Sequence, residues 1–312
     1  KTRKQLFDVL TVFAVSGALV CLYGVAQYIF GWDTSAAWVD EEMFSDIKMR
    51  VYSTLENPNV LGEYILLVLP VCIGLVWQKP KKLAKLVYIA MAGIMFATLI
   101  LTFSRGCWIG FMITAGLFVT FVCGKIWGLA LIALPFLPMV LPESIINRIA
   151  SVGDMKDSST SYRVYIWYGS LAMVKDFWAS GIGPGTQAFK SVYPFYSYSG
   201  IVAPHSHNMF LQILVESGIV GIGVFLTTIV MFFKKLINGY QSTSGKGSKL
   251  GAMIVAIGAG VAGFCVQGMF DNCFYNYRVF LIFWIVLALG IAAVYIAKGE
   301  KEESAVKAVE EE

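Results

Sequence analysis

Eight apolar runs constrain this chain more than any other feature. They extend over Phe7–Phe30, Leu61–Trp77, Leu83–Phe103, Cys107–Cys123, Ile126–Leu141, Asn208–Phe233, Leu250–Phe270 and Val279–Ile296. Each is about as long as the ~17 to 25 residues a helix needs to cross a bilayer. The fifth is short and carries Pro135 and Pro138, so it is open to kinking. A chain that is 57% hydrophobic and 14% charged, with a mean hydropathy of +0.70, is excluded from the ordinary soluble class. The expectation is an all-α polytopic membrane protein of about eight transmembrane helices.

Lysine placement sets the orientation, because short cytoplasmic loops retain positive charge during insertion. With the N-terminus inside, the segments "KTRK", "QKPKKLAK", "GK", "KKLINGYQSTSGKGSK" and "KGEKEESAVK" become cytoplasmic and hold 15 of the 24 Lys and Arg residues. Both termini of this chain are then cytoplasmic. The outer cations include Arg50, Arg105, Arg148, Arg163 and Arg278, and the only other arginine is Arg3. Lysine is thus the inner cation and arginine the outer one. A guanidinium stays protonated and matches phosphate oxygens two at a time, which suits an outer site for a lipid diphosphate. The plainer alternative pairs these arginines with outer acids such as Asp154, Asp157 and Asp176.

The spans divide the chain into residues 1–141, five helices with an outer loop at 31–60; residues 142–205, a large outer loop; residues 206–297, three helices; and residues 298–312, an acidic cytoplasmic tail. In the large loop, Val164, Trp167, Leu171, Val174 and Trp178 recur at helical spacing, predicting an amphipathic lid helix at the interface. It ends at "SGIGPG", where Gly181 suits a left-handed cap and Pro184 stops the helix. The loop's aromatic residues fit headgroup anchoring, and their faces also suit sugar rings. Six cysteines without paired spacing read as buried small hydrophobes. The first run is too long for a signal-peptide core, and a chain beginning at Lys1 leads us to expect a longer or processed natural polypeptide.

The only two histidines, His205 and His207, stand together in "APHSHNMFLQILVESGIVGIG" at the outer mouth of the sixth run, beside Asn208. They are expected in the first turn of that helix. An imidazole there is suited to take a proton from a hydroxyl near neutral pH; the alternative is a structural histidine bonding loop carbonyls. His-x-His is also half of a zinc site, but no acid or cysteine nearby in sequence completes it. An Asp-x-Asp pair is absent from the chain, so neither a nucleotide nor a divalent ion is called for, and no cofactor is expected. Glu216 falls on the opposite helix face, some 13 Å deeper at ~1.5 Å per residue, and reads as structural. Arg105 sits in a tight hairpin, Arg163 begins the lid helix, and Arg50 and Arg278 lie at outer helix ends.

In "RVYSTLENPNVLGEYILLVLP", "LTFSRGCWIGF", "YRVYIWYGSLAMVKDFWASGIGPGTQAF" and "APHSHNMFLQILVESGIVG" the chain resembles the O-antigen ligase/polymerase family, bacterial enzymes that transfer glycans from undecaprenyl diphosphate. The resemblance implies a C-type glycosyltransferase-like fold with a large extracytoplasmic loop. Family members carry more helices ahead of that loop than the five here, so it also implies that N-terminal helices are absent from this chain. By the same resemblance Arg105 and Arg163 grip the diphosphate, and His207, with His205 second, is the base that activates the acceptor hydroxyl.

The expected activity is metal-independent, inverting transfer of a glycan from undecaprenyl diphosphate to a saccharide or lipid-linked acceptor. It would take place on the outer face of the bacterial inner membrane, with membrane lipids as surroundings and no nucleic acid as partner. A transporter or flippase of lipid-linked saccharides is the main alternative. It would place its polar groups near mid-membrane, whereas here they collect at the outer edge.

Overall fold

The computed structural model describes residues 2–32, 47, 49–78, 81–128, 142–243 and 248–310. Its long helices are α1 (Arg3–Phe30), α2 (Pro58–Val76), α3 (Lys82–Leu101), α4 (Arg105–Val122), α8 (Met209–Ser242), α9 (Lys249–Gln267) and α10 (Tyr277–Glu310). Between α4 and α8 lie the shorter α5 (Glu143–Ala150), α6 (Ser158–Phe177) and α7 (Thr186–Val192). Among the described residues, seven helices are long and apolar enough to span a membrane. Among the described residues there is no strand. Most of the fifth expected run, residues 129–141, and half of the loop expected at 31–60 lie outside the described residues. The last helix continues beyond the expected Ile296 to Glu310.

Apolar character all round a helix predicts burial on all sides. The helices α2 and α9 behave so: 83% and 78% of their most apolar windows are buried, against 22% to 39% for the other five. They form the centre of the bundle, and small residues let neighbours approach them. Where α4 crosses α9, a Cβ on Gly110 would lie 2.6 Å from the Gly263 carbonyl, and one on Gly263 would strike the Gly110 carbonyl. The Thr114 hydroxyl donates to the Ala259 carbonyl at 3.1 Å across the same seam. Pro70, inside α2, lacks the N–H that Leu66 O would receive. Gly260 of α9 fills that place, its position for a Cβ lying 3.0 Å from Leu66 O.

The two ends of the bundle differ. At one, Arg3 meets Glu300 at 3.3 Å, joining the start of α1 to α10, and Gln78 donates to the Lys249 carbonyl at 2.7 Å. At the other, the α3–α4 turn, α5 to α7 and the starts of α2, α8 and α10 gather around the α9–α10 connection.

Helix α8 is interrupted one-third of the way along. Gly218 takes φ +63° and ψ −168°, outside the helical region and open to glycine without a Cβ penalty. Carbonyls freed by such a break must find donors inside a membrane protein. The hairpin that follows α6 supplies them: Ile182 N–H donates to Val215 O at 2.9 Å and Gly183 N–H to Glu216 O at 3.0 Å, while Ile219 N–H donates to Trp178 O at 2.7 Å. Gly181 has the left-handed φ of +68° expected of it, and a side chain there would strike the Glu216 carbonyl. "SGIGPG" is thus both the end of the lid helix and the piece that seals the break in α8. The lid helix itself buries Ile166, Ser170 and Met173 against Phe189 and Tyr193, leaving Leu171 and Trp178 of the expected stripe exposed.

Candidate active site

The histidines do not occupy the first turn of α8, as expected, but a tight turn just ahead of it. Asn208 is the residue that caps the helix, its Oδ1 accepting from Leu211 N–H at 3.0 Å, and an extended capping residue cannot lie inside the helix it starts. Its Nδ2 donates to the Met269 carbonyl at 3.0 Å, and Met209 N–H reaches Gly268 O at 2.7 Å. The turn is therefore bolted to the end of α9. It is also closed on itself: Ser206 N–H donates to Gln212 Oε1 at 2.7 Å, Ser206 Oγ to Asn208 O at 2.9 Å, and His207 N–H to His205 Nδ1 at 3.2 Å. Within it His207 is held at φ +50°, a left-handed conformation that a non-glycine residue keeps only when its surroundings enforce it. Glu216 reaches this turn indirectly, accepting from Gln212 Nε2 at 2.8 Å. That chain of bonds gives a physical reason for the spacing of His, Gln and Glu along "HSHNMFLQILVESG".

Across from the turn stands a residue that the sequence reading missed. Asp271 Oδ1 lies 2.9 Å from His207 Nδ1, and Asn59 Nδ2 donates to Asp271 Oδ2 at 3.1 Å. With Nδ1–H given to the carboxylate, the imidazole lone pair falls on Nε2. Burial would raise the Asp271 carboxyl, but the charge and hydrogen bond of His207, with Arg163 beside them, outweigh it and hold the group well below the usual carboxylate range. The neighbouring His205 is 6% exposed; burial, then the proximity of His207, push it down to about 3, so it is neutral near pH 7. The available signal for Asp271 was its isolation, since it is the single acid between Glu216 and Glu300.

Four arginines surround the adjoining space. Arg50, Arg148 and Arg163 line two neighbouring cavities, of about 300 and 850 Å³; Arg105 lines the smaller, and His205, His207, Asp271 and Tyr275 the larger. Arg105 donates to Ser151 O at 2.8 Å and to Asp157 Oδ1 at 2.9 Å; Arg148 reaches Asp157 Oδ2 at 3.3 Å. Asp157, 1% exposed, thereby joins the starts of α4 and α6 to α5, and of the three acids considered it is the one that pairs these arginines. Burial alone would raise its carboxyl, but the Arg105 hydrogen bond and charge bring it below its ordinary value. Arg50 donates to Thr102 O and to Asn59 Oδ1, both at 2.8 Å; burial, then the charges of Arg148 and Arg163, pull its guanidinium down to about 9. Arg163 donates to Ser159 O at 3.2 Å and lies 3.9 Å from Asp271 Oδ2, while its buried Nε has no partner.

The remaining expected site residues serve elsewhere. Arg278 donates to Thr54 O at 2.9 Å, reaches Glu56 at 3.9 Å and lines neither cavity; Asn208 is a cap. Arg148 enters the site without having been singled out for it. Among the described residues, His205, His207 and Asp271 are the group whose ligand atoms are close enough to hold a metal, all within 4.8 Å of one another. The acid missing from the His-x-His pattern is thus supplied from another part of the chain. Yet His205 Nδ1 already accepts a hydrogen bond, and the charge that dominates this space is that of guanidinium groups, which attract an anion.

A multi-pass helical membrane protein with a buried, arginine-rich cavity beside a histidine–aspartate pair is the class this architecture defines. Residues 90–226 match the family model described as O-antigen ligase, so that segment of the chain is similar to this family. That likeness points to a membrane enzyme that transfers glycans between a lipid-linked glycan and an acceptor. The matched segment holds Arg105, Arg148, Arg163 and both histidines; Arg50 and Asp271 stand outside it. No curated protein matches the chain.

Proposed function

We propose that this enzyme moves a glycan from undecaprenyl diphosphate to an acceptor hydroxyl, with inversion and without a metal, at the extracytoplasmic face of the bacterial inner membrane. The observation that carries the reading is the His207–Asp271 pair at the edge of a cavity lined by Arg50, Arg148 and Arg163. The guanidinium groups bind the diphosphate and take up the charge that grows on it as it leaves. Asp271 fixes the His207 tautomer and balances the imidazolium that forms, so that Nε2 is the base. The acceptor oxygen forms its bond to the anomeric carbon as the bond from that carbon to the diphosphate oxygen breaks. The electron pair leaves with undecaprenyl diphosphate, and the hydroxyl proton passes to Nε2. His205 stays neutral and positions His207 through the bond to its backbone N–H. The lysine distribution supports assigning the Arg3–Glu300 end, and with it both termini of this chain, to the cytoplasm.

The test is to incubate purified protein with undecaprenyl-diphosphate oligosaccharide and follow the saccharide. Growth of the donor chain indicates a polymerase, and transfer to an added acceptor a ligase. His207→Ala is expected to slow both by orders of magnitude while donor binding persists, and a chelator is expected to change neither. Donor movement across vesicles without any transfer would favour a flippase instead.

A further inference from the structure

A third cavity, of about 470 Å³, opens on the other side of the histidine turn, between α8 and α10. Its roof is the hairpin that seals the break in α8, contributing Gly185 and Thr186. Its mouth is polar, with Gln212, Glu216 and Asn272, and its depth is aromatic, with Phe225, Phe280 and Trp284. On α10, Trp284 lies seven residues beyond Tyr277, so at ~1.5 Å per residue the groove descends roughly 10 Å from its polar mouth into the span. Asn272 and Tyr275 are shared with the arginine-lined cavity, and the Tyr275 ring stands 4.5 Å from His205, whose ring is 4.1 Å from His207.

We propose that this groove seats the saccharide headgroup of a lipid-linked acceptor, which enters from a different side of the histidine turn than the donor. The inference rests on the transferase reading above and names where its second substrate binds. A carboxylate accepts several sugar hydroxyls at once, and Glu216 presents one at the mouth. Exposed Tyr277 and shared Tyr275 offer flat faces for the apolar side of a sugar ring. The aromatic floor, within the span, suits a lipid chain rather than a water-soluble acceptor. The common wall at Asn272 and Tyr275 lets a hydroxyl at the end of the saccharide approach His207 without crossing the arginines that hold the diphosphate. The hydrogen bonds from Glu216 through Gln212 to the Ser206 N–H join the occupied groove to the turn that bears the base.

The full chain, carrying the photo-crosslinker benzoylphenylalanine at position 280 or, separately, at position 164 beside the arginines, is irradiated in the membrane of a cell that makes lipid-linked glycans, and its adducts are read by mass spectrometry. Glycolipid adducts are expected at both positions. In Glu216→Gln and Tyr277→Ala, which keep the hydrogen bond to Gln212 and alter a surface ring respectively, the adduct at 280 should fall at least tenfold while that at 164 persists. Sugar-free phospholipid alone at 280, or a loss at both positions together, overturns the proposal. The adducts do not depend on turnover, so an active His207→Ala enzyme would refute the base and leave this test standing.

Discussion

His207 and Asp271, 64 residues apart in sequence, meet at 2.9 Å where the cap of α8 is pinned to the end of α9. The imidazole is oriented by a carboxylate that two other groups, Asn59 and Arg163, hold in place. If the pair acts as base and orienter, His207→Ala should lower the transfer rate by about 10² to 10⁴, the usual range for a positioned proton acceptor. Asp271→Asn should cost less, because the base survives in a poorer orientation. Initial rates at saturating donor, set beside donor binding measured separately, check both. Equal binding with unequal rates is the expected pattern.

Arg105 and Asp157 make a largely buried pair, their side chains 10% and 1% exposed. Removing one partner of such a pair costs about 3 to 5 kcal/mol, and Asp157 holds Arg148 as well. Asp157→Ala is therefore expected to lower the unfolding midpoint and to open the segment from α5 to α6 to protease. Arg105→Lys should keep the charge yet lose the double grip on Ser151 and Asp157, weakening donor binding more than it alters a saturated rate. Protease mapping and donor titration separate the two effects.

Acid should loosen the site before it loosens the bundle. The folded state holds His205 near 3 against an ordinary 6.5, so its contribution to stability is complete above 6.5 and declines as the pH falls toward 3. Asp271 and Asp157 lie below their ordinary 3.8, so their contributions are present above that value and are lost only in stronger acid. Between pH 6.5 and 4 His205 should thus contribute a loss of stability on acidification, at up to about 1.4 kcal/mol per unit. His205→Asn should flatten the unfolding midpoint over that interval, which thermal unfolding at a series of pH values measures.

Gly218→Ala and Gly181→Ala should each destabilise the joint between lid and α8 by roughly 1 to 3 kcal/mol, through a left-handed backbone and a close carbonyl. Faster hydrogen exchange at Ile182 and Gly183, whose N–H groups bond across the joint, is the expected sign.

The spans were legible because crossing a bilayer is a local demand on length and apolarity, met by each run alone. Arg105, Arg163 and His207 were legible for a related reason: a hairpin, a helix start and a helix mouth place them at one level whatever the packing. Asp271, Asn59 and Arg148 were not, since their roles arise from contact between helices distant in sequence, and no spacing rule reaches that far. Glu216 was read as remote by counting helical rotation from His207, but His207 lies in the turn ahead of α8, and Gln212, one turn before Glu216, carries its influence back to the histidines.

At the crossing of α4 and α9 two glycines leave carbonyl against carbonyl, with no space for even a methyl group. Such a joint resists sliding, so the floor beneath the histidine turn is a fixed anvil. If the chain transfers glycans as proposed, glycans of different bulk are accommodated from above, by the hood of short helices, whose variation can retune acceptance while the keel stays unchanged.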